Sequence, residues 1–145
     1  KPNLIWFDNL SSYGTPNYYV QQLFSLYKGT GRLKTELDLP SGSGEKGINC
    51  LYVSVTTEEE TGQVYLKAVN PTAEKIRAHV HLEGTQAYRR SASAVVLTGA
   101  GPDDENSIEA PGRVVPKERP FEGVGKTFVY SFDPYSLTVL KLEKQ

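Results

Sequence analysis

From Gly31 onward the apolar residues recur at every second position, and this period limits what the chain can become more than any other feature. "EKIRAHVHLEG" is the clearest case: Ile76, Ala78, Val80 and Leu82 alternate with Lys75, Arg77, His79, His81 and Glu83. Successive side chains of a strand point to opposite faces, so the pattern predicts one strand with a buried side and a solvated side. "RLKTELDL" (Arg32 to Leu39) repeats it with Leu33, Thr35, Leu37 and Leu39 inward. "INCLYVSVT" (Ile48 to Thr56), apolar on both faces, predicts a central strand. "TEEETG" is a polar hairpin loop leading into "QVYLKAVN" (Gln63 to Asn70), which Pro71 stops. Further strands are expected in "AYRRSASAVVLTG" (Ala87 to Gly99, broken near Arg90), "TFVYSF" (Thr127 to Phe132) and "SLTVLKLE" (Ser136 to Glu143). "RVVPKE" (Arg113 to Glu118) reads as a short edge segment, Pro116 lacking a ladder donor. "PSGSGEKG" (Pro40 to Gly47) and "AGPDDENSIEAPG" (Ala100 to Gly112) are loops, and "FEGVGK" (Phe121 to Lys126) is a connection. Roughly eight to ten closely spaced strands predict a mainly β fold, an antiparallel β-sandwich or jelly roll with one N-terminal α-helix.

That helix lies in "GTPNYYVQQLFSLYKG". Thr15 is a good N-cap, and Pro16 suits the first helical position, where no N–H is required. At 100° per residue, Tyr19, Val20, Leu23, Phe24, Leu26 and Tyr27 fill an apolar arc of roughly 160°. Lys28 suits the negative helix end, and Gly29 can supply a left-handed C-cap. Val20, Leu23, Phe24 and Tyr27 are the expected packing residues, against the sandwich or a second copy of the chain.

The chemistry of the remaining motifs is sparse. A net charge of −1 offers no electrostatic attraction for nucleic acid or anionic lipid, and no apolar run reaches the length of a membrane span. Cys50 is the single cysteine, which rules out an intrachain disulfide. His79 and His81 share a strand face, as a chelating pair would, but no third ligand stands at a recognisable spacing, and they read as solvated imidazoles. Glu58, Glu59 and Glu60 read as a solvated loop tip. "DDENS" (Asp103 to Ser107) lacks the alternating ligands and central glycine of a calcium loop. Tyr18, Tyr52, Tyr65, Tyr88, Tyr130 and Tyr135 could stack on sugar rings, although core or interface positions account better for most of them. No nucleophile elbow or phosphate loop occurs. Neither a catalytic residue, a metal site nor a cofactor is predicted. The chain begins at Lys1 and contains no methionine, which points to a processed product or a piece of a longer protein.

Four segments carry a resemblance. "LIWFDNLSSYGTPNYYVQQLFS", "VYLKAVNP", "LTGAGPDDENSIEAPGRVVP" and "FVYSFDPYSLTVLKL" together cover about half the chain, in order from end to end. They resemble the C-terminal region of α-L-arabinofuranosidases of glycoside hydrolase family 51. The resemblance implies a catalytic (β/α)₈ barrel followed by a β-sandwich. Residues 1–30 would be the tail of the barrel, with "TPNYYVQQLFS" its last helix, and residues 31–145 the sandwich. Both catalytic glutamates of such a retaining enzyme would lie upstream of Lys1, since no position here matches either motif.

The resemblance also implies a partner, the barrel of the same longer chain, and through it arabinose-containing polysaccharide. Trp6, Phe7, Asp8 and Asn9, with Asp103, Asp104, Glu105 and Asn106, are the residues expected to face the barrel. A strand supplied by the distant N-terminus would leave an open edge in this chain alone, inviting self-association. Two alternatives stand beside this reading: a carbohydrate-binding module, and the sandwich behind another family of glycosidase barrel.

Overall fold

The computed structural model describes residues 3–40 and 48–145. A short hairpin, β1 (Ile5–Phe7) and β2 (Ser12–Gly14), precedes the helix α1 (Pro16–Leu26). The strands that follow are β3 (Gly31–Arg32), β4 (Tyr52–Glu58), β5 (Gln63–Asn70), β6 (Ile76–His81), β7 (Ser91–Thr98), β8 (Lys117–Glu122), β9 (Thr127–Phe132) and β10 (Ser136–Leu142). Six of them form one antiparallel sheet in the order β3-β4-β5-β10-β7-β8, and β6 pairs with β9 in a separate antiparallel layer. The mainly β architecture with one helix is the one expected.

β10 occupies the middle. Leu140 stands opposite Leu66 of β5 on one side and Ala94 of β7 on the other. Period two then sends its side chains to two different cores. Leu140 and Leu142 meet Leu66, Ala94 and Val96, and behind them Phe128 and Phe132 of β9. Leu137 and Val139 meet Val95, Leu97 and Val114, and Leu23 of the helix. The β6–β9 layer therefore covers one face of the large sheet and α1 covers the other. On β6, Ile76, Ala78 and Val80 turn toward the core while Arg77, His79 and His81 are exposed, as the alternation requires.

The helix begins and ends on specific groups. Thr15 Oγ1 accepts from the Tyr18 N–H, and Pro16 opens the first turn. The cap at the other end is Tyr27, whose N–H donates to the Leu23 carbonyl, so Gly29 is not itself the cap. Gly29 instead makes the turn from helix to sheet at φ +66°, where an added Cβ would lie 2.7 Å from the Thr57 carbonyl oxygen. The sandwich covers most of the apolar arc: Leu23 is buried and Tyr19, Val20 and Tyr27 pack around it. Phe24 stays 41% exposed, outside that cluster.

Three sequence expectations need correction. Of "RLKTELDL" only Arg32 is strand, as the second residue of β3; Leu33 adds one backbone bond to Val55, and residues 34–39 run without a ladder. Alternation assigns faces to a strand once it has a neighbour, but cannot supply the neighbour. "INCLYVSVT" is not central, because β4 begins at Tyr52 and is flanked on its outer side by two residues alone. The edge strand is Lys117–Glu122 rather than Arg113–Glu118, and it accommodates Pro120 opposite Ser93 because it ends the sheet. Ala87–Gly99 resolves into β7 and one isolated bridge, Tyr88 to Lys144. Of the expected flexible loop at 40–47, all but Pro40 lies outside the described residues.

Leu140 is fully buried between two strands and two layers, so Leu140→Ala should lower unfolding free energy by about 2–5 kcal/mol, read from the urea midpoint. The neighbouring Thr138 hydroxyl is buried without a hydrogen-bond partner among the described residues. Thr138→Val should raise stability by about 1 kcal/mol in the same titration.

Candidate functional site

The base of the β1–β2 hairpin, the start of α1 and the loop 99–116 meet at one corner, where Asn106 bonds Gly14. Asp8 closes the hairpin: its Oδ1 accepts from the Leu10 and Ser11 N–H groups at 2.8 and 2.7 Å. Those two bonds hold its carboxyl below the ordinary aspartate range. At the base of the hairpin, the Thr15 N–H donates to the Leu4 carbonyl, and its hydroxyl reaches Asn3 and Leu4 carbonyls. The outer side is apolar and open, with Phe7 79% and Leu10 95% exposed beside Ile5. Trp6 is half-buried and Asn9 exposed.

Asn106 joins this corner to the sandwich. Its side chain is buried; Nδ2 donates to the Gly14 carbonyl at 2.8 Å and the Val114 carbonyl at 2.9 Å, while Oδ1 accepts from the Val114 N–H at 2.7 Å. Val114 in turn enters the core beneath α1. Val114 therefore spends both its backbone hydrogen bonds on a side chain, which leaves it none for a strand ladder. Asp104 is also committed: it pairs with Arg113 Nε at 2.6 Å and accepts from the Ala100 N–H at 2.9 Å. Asp103 and Glu105 are exposed, and with Thr15, Pro16, Asn17, Pro102 and Asp104 they line a shallow cleft at the helix start.

A second polar group lies between helix and sheet. Lys67 is 3% exposed on β5, its Nζ donating to Thr56 Oγ1 at 2.8 Å and lying near the Phe24 and Tyr65 rings. Burial pulls its ammonium below the usual lysine range. Lys141 of β10 approaches the Tyr27 ring and bonds Glu118 at 2.5 Å; that ammonium, with the Ser93 hydroxyl, holds Glu118 below its ordinary value.

At the opposite end, Asn70 bonds the Glu74, Phe132 and Asp133 carbonyls and the Thr72 N–H, tying β5 to β9. Asp133 stands between Arg119 at 2.7 Å and Lys75 at 3.4 Å. Burial pushes its carboxyl up, but the two cations outweigh this and hold it below the ordinary aspartate range. Among the described residues no group of three or more His, Cys, Asp or Glu could hold a metal. Four of the six tyrosines considered for sugar stacking pack instead: Tyr65 against Tyr27, Tyr130 against Phe121 and Phe132, Tyr18 against Tyr19, and Tyr88 against the core. Tyr52 remains exposed.

Asn70 and Lys67 were not legible as key residues, and Asn106 was expected at a partner face rather than as a buried tie. Asparagine in a turn-rich segment is common, and a lysine at an inward position breaks the pattern without naming its partner.

The fold is a helix-backed antiparallel sandwich. The chain belongs to the family described as the alpha-L-arabinofuranosidase C-terminal domain, whose sequence profile matches residues 1–136. It is 32% identical over 119 residues to alpha-L-arabinofuranosidase 2 of Arabidopsis thaliana, covering 81% of this chain and 17% of that protein. With alpha-L-arabinofuranosidase 1 of the same plant the identity is 32% over 149 residues, covering 99% of this chain and 21% of the relative. In three dimensions it superposes on the arabinose-bound α-L-arabinofuranosidase MgGH51 with a TM-score of 0.86 and 28% identity, covering 100% of this chain and 22% of that one. The chain thus spans about a fifth of the length of the relatives it matches.

Asn106→Ala removes three hydrogen bonds and strands buried backbone groups. It should cost about 1–3 kcal/mol and accelerate amide exchange at Val114. Asp133, depressed in the folded state, contributes stability that is complete above the unfolded aspartate value and is lost as pH falls through the folded one. Asp133→Asn should therefore be less stable than the parent chain at pH 7, the two converging below about pH 4 in urea titrations.

Proposed function

We propose that this chain works as the non-catalytic C-terminal domain of a retaining α-L-arabinofuranosidase, docked on a catalytic barrel that precedes it in the same protein. The barrel would carry both glutamates, about 5–5.5 Å apart, and remove terminal arabinofuranosyl residues from hemicellulose or pectin. Residues 1–30 belong to the tail of that barrel and residues 31–145 to the sandwich, the boundary falling at the Gly29 turn. Family membership supports the reading of the chain as a C-terminal domain.

The observation that carries the docking is the open apolar side of the hairpin, Ile5, Phe7 and Leu10, on a segment pinned to the sandwich by Asn106. Large apolar side chains are costly to leave in water, and a neighbouring domain would cover them. Trp6 to Asn9 and Asp103 to Asn106 form the docking corner. Within it Asp8, Asp104 and Asn106 hold the local shape, while Phe7, Asn9 and Asp103 are available for contact. A chain lacking that neighbour is prone to self-association through the same residues.

The isolated chain should show no turnover of an aryl arabinofuranoside above background; activity that survives removal of contaminating enzyme would refute the assignment. In a longer protein containing the barrel, amide exchange at Phe7, Asn9 and Asp103 should be slower than in the isolated chain. Equal rates would rule out docking at this corner. Saturable binding of arabino-oligosaccharides by the isolated chain would favour a carbohydrate-binding module instead.

A further inference from the structure

The outer face of the β6–β9 layer plays no part in the docking corner, yet it holds both histidines of the chain. His79 and His81 are exposed and two residues apart on β6. Their Cα atoms are thus separated by about 6.5–7 Å, with side chains on the same face. Two imidazoles at that separation can turn toward one ion, since metal–nitrogen bonds are about 2.0–2.1 Å long.

The backbone beneath them is fixed. β6 pairs with β9 along its whole length, and the reverse face is packed on the core through Ile76, Ala78, Val80 and Leu82. One ring is also oriented. His81 Nδ1 lies 2.9 Å from the hydroxyl of Thr127, its direct partner on β9. In the tautomer that carries its proton on Nδ1, this hydroxyl accepts and Nε2 is the nitrogen left for a metal. A metal-ligating histidine needs this arrangement, because the bond at the far nitrogen sets tautomer and ring direction.

We infer that His79 and His81 form a two-imidazole chelate for a divalent transition-metal ion on the outer face of β6–β9, with Thr127 orienting His81. The protein supplies two nitrogen ligands, and water or an oxygen-rich ligand completes the coordination. Arg77 and Glu83 lie exposed on either side of the pair along the chain. Imidazole ligands suit copper, nickel and zinc, and among these copper(II) binds most tightly at a given site. The inference is independent of the arabinofuranosidase reading and does not require the barrel.

Copper(II) titrated into the intact chain, followed by calorimetry and electron paramagnetic resonance, tests it. One ion per chain should bind with a spectrum showing two nitrogen donors. His79→Asn and His81→Asn should each weaken binding roughly 10²-fold, the gain expected when two linked ligands act together. Thr127→Val should weaken it about tenfold, through loss of orientation rather than of a ligand. Because the pair is aligned only while β6 is a strand, affinity in urea should fall to that of the single-histidine variants. Equal affinity in the parent chain and His79→Asn would overturn the site, as would one-nitrogen spectra. Saturation only at millimolar copper would mean an adventitious ion only. All variants sit at exposed positions, and unchanged thermal unfolding without metal would confirm that they fold.

Discussion

The structure depends on a strand that has no solvent side. Ser136–Leu142 is hydrogen-bonded on both edges and covered on both faces, so each residue in it constrains a neighbour in a different direction. Leu140 and Leu142 set the depth at which β6–β9 can pack. Leu137 and Val139 set the floor on which the helix rests. Because neighbouring positions on one strand serve opposite layers, a change of register by one residue would exchange the two cores at once. β7 alternates in the same way, Ala94 and Val96 toward one core and Val95 and Leu97 toward the other.

Around this apolar frame, polar side chains fix the segments that have no ladder of their own. Asn70 gathers the ends of β5 and β9, and Asn106 gathers Gly14 and Val114. Each is a buried amide with both ends engaged, an arrangement that is specific because any displacement leaves a donor or acceptor unpaired. Lys67 is a harder case. Its ammonium lies between helix and sheet with a hydroxyl and two aromatic faces for company, and burial disfavours its charge. The helix seam is therefore held chiefly by shape and apolar area, while the hairpin corner is held by directed bonds.

Legibility followed the same division. Period two identified β5, β6, β9 and β10 closely, and the inward and outward faces of β6 position by position, because burial of one face is a local property of the residues. Thr15 and Pro16 marked the helix start because their chemistry is local too. Strand rank was not local: "INCLYVSVT" is as apolar as "SLTVLKLE", yet one lies near an edge and the other in the centre. "RLKTELDL" failed for lack of a partner, and the hairpin Ile5–Gly14 went unseen because three-residue strands carry too little pattern. At the hairpin corner the sequence named the segments as partner-facing but did not show how they bond internally. Nothing in "DDENS" distinguishes Asn106, which is buried and fully bonded, from Asp103, which is exposed.

The order in which the strands occur along the chain bears on how the protein is made. The two neighbours of the middle strand, Gln63–Asn70 and Ser91–Thr98, both leave the ribosome well before the strand that joins them. Until residues 136–142 emerge, each presents an apolar edge with nothing to pair it, and non-local pairing of this kind is slow. Synthesis of this domain therefore closes on its keystone at the last step. A chain stopped before residue 136 would lack the strand that joins β5 to β7.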